Sequence, residues 1–353
     1  MGTAAPGCPA GQSPALVCGL SYANTEGFLC VEIDRVQLKP SLAAAVARLT
    51  AAHVPSPRMN AELLLMFALA CDRAHLYAHS DRELTAEEQS RYDDALAQRV
   101  TGKPAQYITG HQEFWGMDLL VTPAALIPRP ETEHLIETIL ELTRVGRALL
   151  PAKAPQGRKN AAPSPSPESS EADASAPQGR KTQPLKIADI GTGTGAIAIV
   201  LAKEFPQAEI HATDISAAAL NLARANAARH QLENRIYFRE TDLLAGFDNN
   251  SFDFIVSNPP YVGDSEADEV QLEVRKFEPR NAVFAGPTGL AIIARLIPQA
   301  HAALKPGGWL VMEISATIAE EVKMSLQGWD EVEITKDLQS IPRIARAQKP
   351  VLP

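Results

Sequence analysis

The sequence predicts an α/β fold: a doubly wound, mostly parallel seven-stranded sheet with helices on both faces, and a small all-helical N-terminal domain joined to it by a β-hairpin. Three observations predict it. From Leu185 onward, short runs of apolar and β-branched residues alternate with longer stretches of helical periodicity. A glycine-rich turn, Gly191-Thr-Gly-Thr-Gly195, lies between the first of these strands and a helix of small apolar residues. Ahead of both, about Lys39 to Val100 has helical spacing throughout.

The helical region comes first. Leu42, Val46 and Leu49 share one face, and Leu63, Leu64, Met66 and Phe67 give the helix after Pro55-Ser-Pro57 its apolar stripe. Thr85-Ala-Glu-Glu has the form of a capping box and starts a helix that runs to Val100. Between Gly110 and Pro130, alternation and turn residues predict the hairpin. Glu131-Thr-Glu133 then opens a helix to about Arg144, its carboxylates at the favourable end of the helix dipole. Strands are expected at 185–190, 209–213, 235–240, 252–257, 308–314, 331–335 and near 341–347. The helices between them fall at 195–204, 216–230, 289–303 and 317–327. The chain thus divides into an extension at 1–37 that reads as disordered, the helical domain at 38–108, a hairpin connector at 109–130 and the sheet domain at 131–353. A second segment, about 151–184, holds Pro, Ala, Ser and Gly with almost no large apolar residue. It contains Ala-Pro-Gln-Gly-Arg-Lys twice, at 154–159 and 176–181, and reads as a disordered surface insertion.

Composition narrows the function. A net charge of -9 over 353 residues argues against a broad basic surface that wraps nucleic acid, so no stable nucleic-acid binding is expected. The four cysteines, Cys8, Cys18, Cys30 and Cys71, have no metal-ligand spacing and form no disulfide framework, which suits a reducing, cytoplasmic setting. No apolar run approaches the length that spans a bilayer, and the eight histidines are not clustered, so neither a membrane nor a metal is assigned. Residues 1–34 lack Lys and Arg, and so lack the marks of a signal or transit peptide; a mis-assigned start codon explains them as well as disorder does.

Two motifs carry the chemistry. In the first, Gly191, Thr192, Gly193, Thr194 and Gly195 let the backbone approach a ligand closely at a helix start that offers N–H groups. Asp214, ending the next strand, is placed to accept both hydroxyls of a ribose. Both features also fit a dinucleotide enzyme. Thr241-Asp242-Leu243 follows the third strand, where Asp242 and Leu243 are candidates for holding an adenine; a structural role fits them equally. The second motif is Asn258-Pro259-Pro260-Tyr261, directly after the strand Phe252–Ser257. A planar NH2 group is a poor nucleophile because its lone pair is delocalised. An Asn258 oxygen and a Pro259 carbonyl that accept its two hydrogens would free that pair. The prolines fix the carbonyls, and Tyr261 offers a flat face. The order of glycine turn, strand and Asn-Pro-Pro-Tyr resembles an S-adenosylmethionine-dependent methyltransferase, and the tetrapeptide favours that reading over a hydride-transfer enzyme.

Residues from about 40 to 350 resemble the HemK/PrmC family of release-factor glutamine methyltransferases. The resemblance rests on Gly110-His-Gln-Glu-Phe114, Leu126-Ile-Pro-Arg-Pro-Glu-Thr-Glu133, Asp189-Ile-Gly-Thr-Gly-Thr-Gly-Ala-Ile197, Ser257-Asn-Pro-Pro-Tyr-Val262 and Phe277-Glu-Pro-Arg280. Gly286-Pro-Thr-Gly-Leu290 and Leu304-Lys-Pro-Gly-Gly308 complete it. It implies the seven-stranded methyltransferase sheet and S-adenosylmethionine as methyl donor. The expected acceptor is the side-chain amide nitrogen of the glutamine in the Gly-Gly-Gln motif of class I peptide chain release factors. The helical domain would help to dock the factor. Gly191 to Gly195, Asp214, Leu243 and Asn258 would contact the cofactor, and Asn258 to Tyr261 would hold the glutamine. Leu243 stands where many relatives carry a larger aromatic residue, Ser315 where a glycine is common, and the glutamine expected shortly after is missing. Three other readings remain: a ribosomal-protein glutamine as acceptor, an adenine N6 in DNA, and a non-catalytic ribosome-binding module that uses the repeated basic segments.

Overall fold

The computed structural model of the protein describes residues 37–148 and 184–351, with side chains from 145 to 148 excepted. The expectations for the extension, apart from Gln37, and for nearly all of the insertion lie outside the described residues.

Five helices come first: α1 Leu38–Ala51, α2 Pro57–Leu69, α3 Arg73–Ala78, α4 Ala86–Val100 and α5 Ala105–Thr109. They enclose a core of their own, centred on Leu49, Leu64, Leu65, Tyr92 and Leu96. Tyr92 is fully buried, and its hydroxyl donates to the Ala61 carbonyl at 3.0 Å, so that hydroxyl is not stranded. The capping box is present: the Thr85 hydroxyl accepts from Glu88 N, and the Glu88 carboxylate accepts from Thr85 N. The short helices α3 and α5 were not foreseen, because five or six residues carry too few turns to register as a period.

The hairpin pairs β1 His111–Phe114 with β2 Met117–Leu120. Its two turn residues, Trp115 and Gly116, both have positive φ (54° and 68°), as a type I′ turn requires. The Trp115 backbone is held there by a 2.8 Å hydrogen bond from its N–H to Glu133. Glu133 opens α6, Glu133–Ala148, after a single 3₁₀ turn at Pro130–Thr132.

Seven strands form the sheet: β3 Lys186–Ile190, β4 Glu209–Asp214, β5 Ile236–Glu240, β6 Phe252–Ser257, β7 Leu304–Glu313, β8 Asp330–Lys336 and β9 Pro342–Gln348. Their spatial order is β5-β4-β3-β6-β7-β9-β8, with only β9 antiparallel to its neighbours. The remaining helices are α7 Ala196–Glu204, α8 Ala217–Arg229, α9 Leu272–Phe277, α10 Arg280–Val283, α11 Ile293–Ala303 and α12 Ala319–Ser325. Alternate residues of each strand face opposite layers. Ile187, Phe254 and Val256 pack under α6 and α7, while Ala188, Ile255 and Leu310 pack under α11 and α12.

Two of the expected elements start elsewhere than the sequence suggests. Strand β7 starts four residues early, and its pairing with β6 slips between Phe252 and Phe254, which makes room for Lys305-Pro-Gly-Gly308. A Cβ on Gly308 would lie 2.9 Å from the Lys305 carbonyl, so the bulge depends on a glycine there. Helix α11 begins at Ile293, not at Gly289, because Gly286 and Gly289 hold positive φ in the loop before it.

The register sets the site. Ile190 is level with Thr213 on one side and Ser257 on the other, and Ser257 is level with Met312. The residues that follow, Gly191, Asp214, Asn258 and Glu313, therefore emerge together at the carboxyl edge. Strand order reverses between β3 and β6, which opens a crevice there.

Candidate active site

A cavity of about 300 Å³ lies in this crevice. Gly191, Thr192, Gly193, Thr194, Asp214, Asp242, Leu243, Asn258, Pro259 and Pro260 all line it. The sequence named those ten, and the sheet register gathers them.

The amides of Thr194, Ala196 and Ile197, all cavity-lining residues, donate to no described residue, so the helix start offers N–H groups there, while the rest of the turn is braced by the protein. The amides of Gly191 and Thr192 donate to the Thr213 carbonyl, Gly193 N donates to Asp214, and Gly195 N donates to the Thr192 carbonyl. The turn is thus tied to β4 and offers the cavity a close, side-chain-free surface. Gly195 does not line the cavity. A Cβ there would meet Ala223 at 3.0 Å, so this glycine lets α7 approach α8.

Both carboxylate oxygens of Asp214 are oriented by the protein, Oδ2 by Gly193 N at 3.0 Å and Oδ1 by Ser216 N at 2.9 Å. Each oxygen keeps a lone pair for a hydroxyl donor. Asp242 is ion-paired with Arg295, a cavity residue that the sequence reading did not single out. Leu243 holds φ at +53°, an unfavourable conformation for leucine, and its carbonyl accepts from the Thr213 hydroxyl at 3.3 Å. Backbone strain of this kind concentrates at ligand clamps.

Asp189 ends β3 beneath the turn and is fully buried. Its Oδ2 accepts from the Thr192 hydroxyl and Ala198 N, while Oδ1 has no partner. Burial raises its carboxyl to about 7, against the pull of the Thr192 and Ala198 bonds, and the nearby Asp214 charge adds to the rise.

At the other end stands the tetrapeptide. Asn258 Nδ2 donates to the Thr132 hydroxyl at 3.0 Å, and that hydroxyl donates to Glu313 Oε2 at 2.7 Å. The Tyr261 hydroxyl donates to Glu313 Oε1 at 3.0 Å. No described residue hydrogen-bonds to Asn258 Oδ1 or to the Pro259 carbonyl. Burial raises the Glu313 carboxyl above its ordinary value, opposed by the Thr132 and Tyr261 bonds. Burial, with the Glu313 charge, also raises the Tyr261 phenol. Tyr261 does not line the cavity; it packs against the core under α11 and α12. A stacking face for a ligand is therefore not where this structure puts the ring. Gly289 allows the loop its close approach, because a Cβ there would lie 2.2 Å from the Tyr261 carbonyl.

Sequence reasoning missed Thr132 and Glu313 as site residues. Thr132 sat inside a quoted motif, and Glu313 closed a strand whose partner register was not readable. Among the described residues, no group of three or more His, Cys, Asp or Glu side chains could hold a metal, and no helix is long and apolar enough to cross a membrane.

Comparison with known proteins bears on this geometry. The family model described as the PrmC N-terminal domain matches residues 41–110, and that of the methyltransferase small domain matches 178–276. A release factor glutamine methyltransferase of Koribacter versatilis (strain Ellin345) is 49% identical over 314 residues, covering 89% of this chain and 99% of that protein. Proteins of the same name from Rhodopirellula baltica and Xylella fastidiosa (strain 9a5c) are 35% and 40% identical. The first covers 83% of this chain and 90% of its own length, the second 76% and 84%. With identity of this level along nearly the whole length, and an Asn-Pro-Pro-Tyr edge beside a glycine-turn crevice, the chain belongs to the release factor glutamine methyltransferase family.

Proposed function

We propose that the protein transfers a methyl group from S-adenosylmethionine to the side-chain amide nitrogen (N5) of the glutamine in the Gly-Gly-Gln motif of class I peptide chain release factors. The observation that carries this reading is a pair of free acceptors. Asn258 Oδ1 and the Pro259 carbonyl belong to residues lining one cavity and take no hydrogen bond from any described residue. A primary amide brings two N–H groups, and two acceptors match them. Accepting both bonds draws the nitrogen away from planarity and frees its lone pair.

The other end of the cavity fits the donor. Asp214 would hold the ribose hydroxyls, Asp242 and Leu243 the adenine, and Gly191, Thr192, Gly193 and Thr194 would face the ligand across a turn without bulk; Gly195 keeps that turn seated on α8. When bound, S-adenosylmethionine supplies an electrophilic methyl group on a cationic sulfur. The chain's own residues orient the amide: Asn258 and Pro259 accept its hydrogens, Pro260 fixes the loop, and Tyr261 anchors it on Glu313. Methylated amide nitrogen is acidic enough to lose its proton to water, so no strong general base, covalent intermediate or metal is assigned. Release factors act in the cytoplasm, where we place the protein, with no membrane and no stable nucleic-acid partner. The helices α1–α5, which form the proposed docking domain, leave Met59, Phe67 and Tyr77 exposed.

The test is transfer of labelled methyl from S-adenosylmethionine to a purified release factor, run beside its Gly-Gly-Gln→Gly-Gly-Ala variant, ribosomal proteins and duplex DNA. Label on the wild-type factor alone is the expected result. Label on the ribosomal proteins or the DNA would replace this acceptor with another.

A further inference from the structure

The geometry points to Glu313 as a positioning residue that sets which way the Asn258 amide faces, acting through the Thr132 hydroxyl, while its other oxygen seats Tyr261. The inference rests on the acceptor role proposed for Asn258. An asparagine side chain is nearly symmetric in shape but opposite in chemistry at its two ends: Oδ1 accepts and Nδ2 donates. Turned by half a rotation, Asn258 would present N–H groups to the N–H groups of its substrate. Something must hold it the right way round.

The hydroxyl of Thr132 alone could not. It has one proton and two lone pairs, and can donate to an amide oxygen or accept from an amide nitrogen. Its proton is committed elsewhere, to Glu313 Oε2 at 2.7 Å. In its ionised form Glu313 only accepts, and it then makes the hydroxyl point its proton inward. The hydroxyl can then only accept from Asn258, and it meets Nδ2 at 3.0 Å. Oδ1 is left for the cavity. The same carboxylate accepts from Tyr261 at 3.0 Å, so the first and fourth residues of the tetrapeptide hang from one group.

The choice of a carboxylate supports this role. Glu313 is 2% exposed and has Glu131 among its neighbours, an unfavourable place for a charge that Arg343 only partly offsets. A glutamine would fill the same space without a charge. It would also have to present its NH2 to one of the two hydroxyls and reverse that link. Only an acceptor at both oxygens removes the ambiguity.

Three variants test the inference: Thr132→Val, which keeps shape and loses the hydroxyl; Thr132→Ser, which keeps the hydroxyl; and Glu313→Gln. For each, kcat and KM for the release factor are measured, together with calorimetric S-adenosylmethionine affinity and melting temperature. Thr132→Val is expected to lower kcat about a hundredfold, with KM and cofactor affinity within about threefold of the parent protein. Thr132→Ser is expected to restore kcat to within a few-fold, and Glu313→Gln to lower it at least tenfold. If Glu313→Gln fails to fold, the Thr132 pair still decides. Parental kcat in Thr132→Val would overturn the inference. So would equal losses in the Val and Ser variants, or a loss confined to cofactor affinity. Absence of transfer by the parent protein would overturn the functional reading and this inference with it, whereas parental transfer with an unaffected Val variant overturns the inference alone.

Discussion

In the proposed mechanism Asn258 acts through one atom, and its neighbours determine which. Replacing it by alanine removes the acceptor without disturbing Asp214 or Leu243. Asn258→Ala should therefore cut single-turnover methyl transfer by about 10²- to 10³-fold while calorimetric cofactor affinity stays within a few-fold. An unchanged rate would remove the side chain from the mechanism. Asp189 gives a second prediction at this scale. Burial holds its folded carboxyl near 7, above the ordinary 3.8, so the folded state binds the extra proton. The stability it contributes is full below about 4 and is lost as pH rises through about 7. Glu62, Glu88 and Glu209 are shifted downward, so their contribution is lost only as pH falls below their ordinary 4.5. Urea unfolding between pH 5 and 8 should show the parent losing stability relative to Asp189→Asn, with a slope of up to about 1.4 kcal/mol per pH unit. Parallel pH profiles would refute it. The tetrapeptide and glycine turn were legible in the sequence because each is contiguous, its spacing fixed by local chemistry. The Thr132–Glu313 link was not, since it joins residues 181 positions apart and depends on the direction of one hydroxyl proton.

Among the elements, strands were read well and loops less so. Six of the seven strands lie within about a residue of expectation, because continuous apolar runs such as Phe252–Ser257 mark burial on both faces. The start of α11 was misplaced because helical periodicity cannot reveal that Gly289 is needed against another loop. That contact carries the next prediction. In Gly289→Ala the new methyl would clash with the Tyr261 carbonyl and strain a φ of +77°. The loop should shift, with kcat falling at least tenfold and the melting temperature dropping by several degrees. Parental kcat and melting temperature together would count against the contact.

At the scale of the molecule, two cores must be joined. The Arg99 guanidinium, buried in the helical region, donates to Asn60, to the Lys103 carbonyl and to Glu273 of α9 at 2.6 Å. Close by, Glu278 takes the Ile127 amide and pairs with Arg129, fastening α9 to the connector. Arg99→Met leaves Asn60 and Glu273 without their partner and should cost about 3 kcal/mol in chemical denaturation. Scanning calorimetry should then resolve a separate, lower transition for the helices. A single unchanged transition would mean that apolar contacts alone join the two parts. Nothing in the sequence hints at this junction: Arg99 sits near the end of an amphipathic helix, and its burial depends on contacts with residues far along the chain.

The level register of β3, β4, β6 and β7 makes the sheet a ruler for the chemistry at its edge. Each residue advances a strand by about 3.3 Å and turns the next side chain to the other face. One alanine inserted after Val256 would carry Asn258 a full step beyond Thr132 and aim it into the opposite layer, although every residue of the motif would still be present. Tolerance to insertion should therefore vanish within β6 and recover in the loop beyond Val262, a pattern that a single-residue insertion scan would read directly as lost methyl transfer.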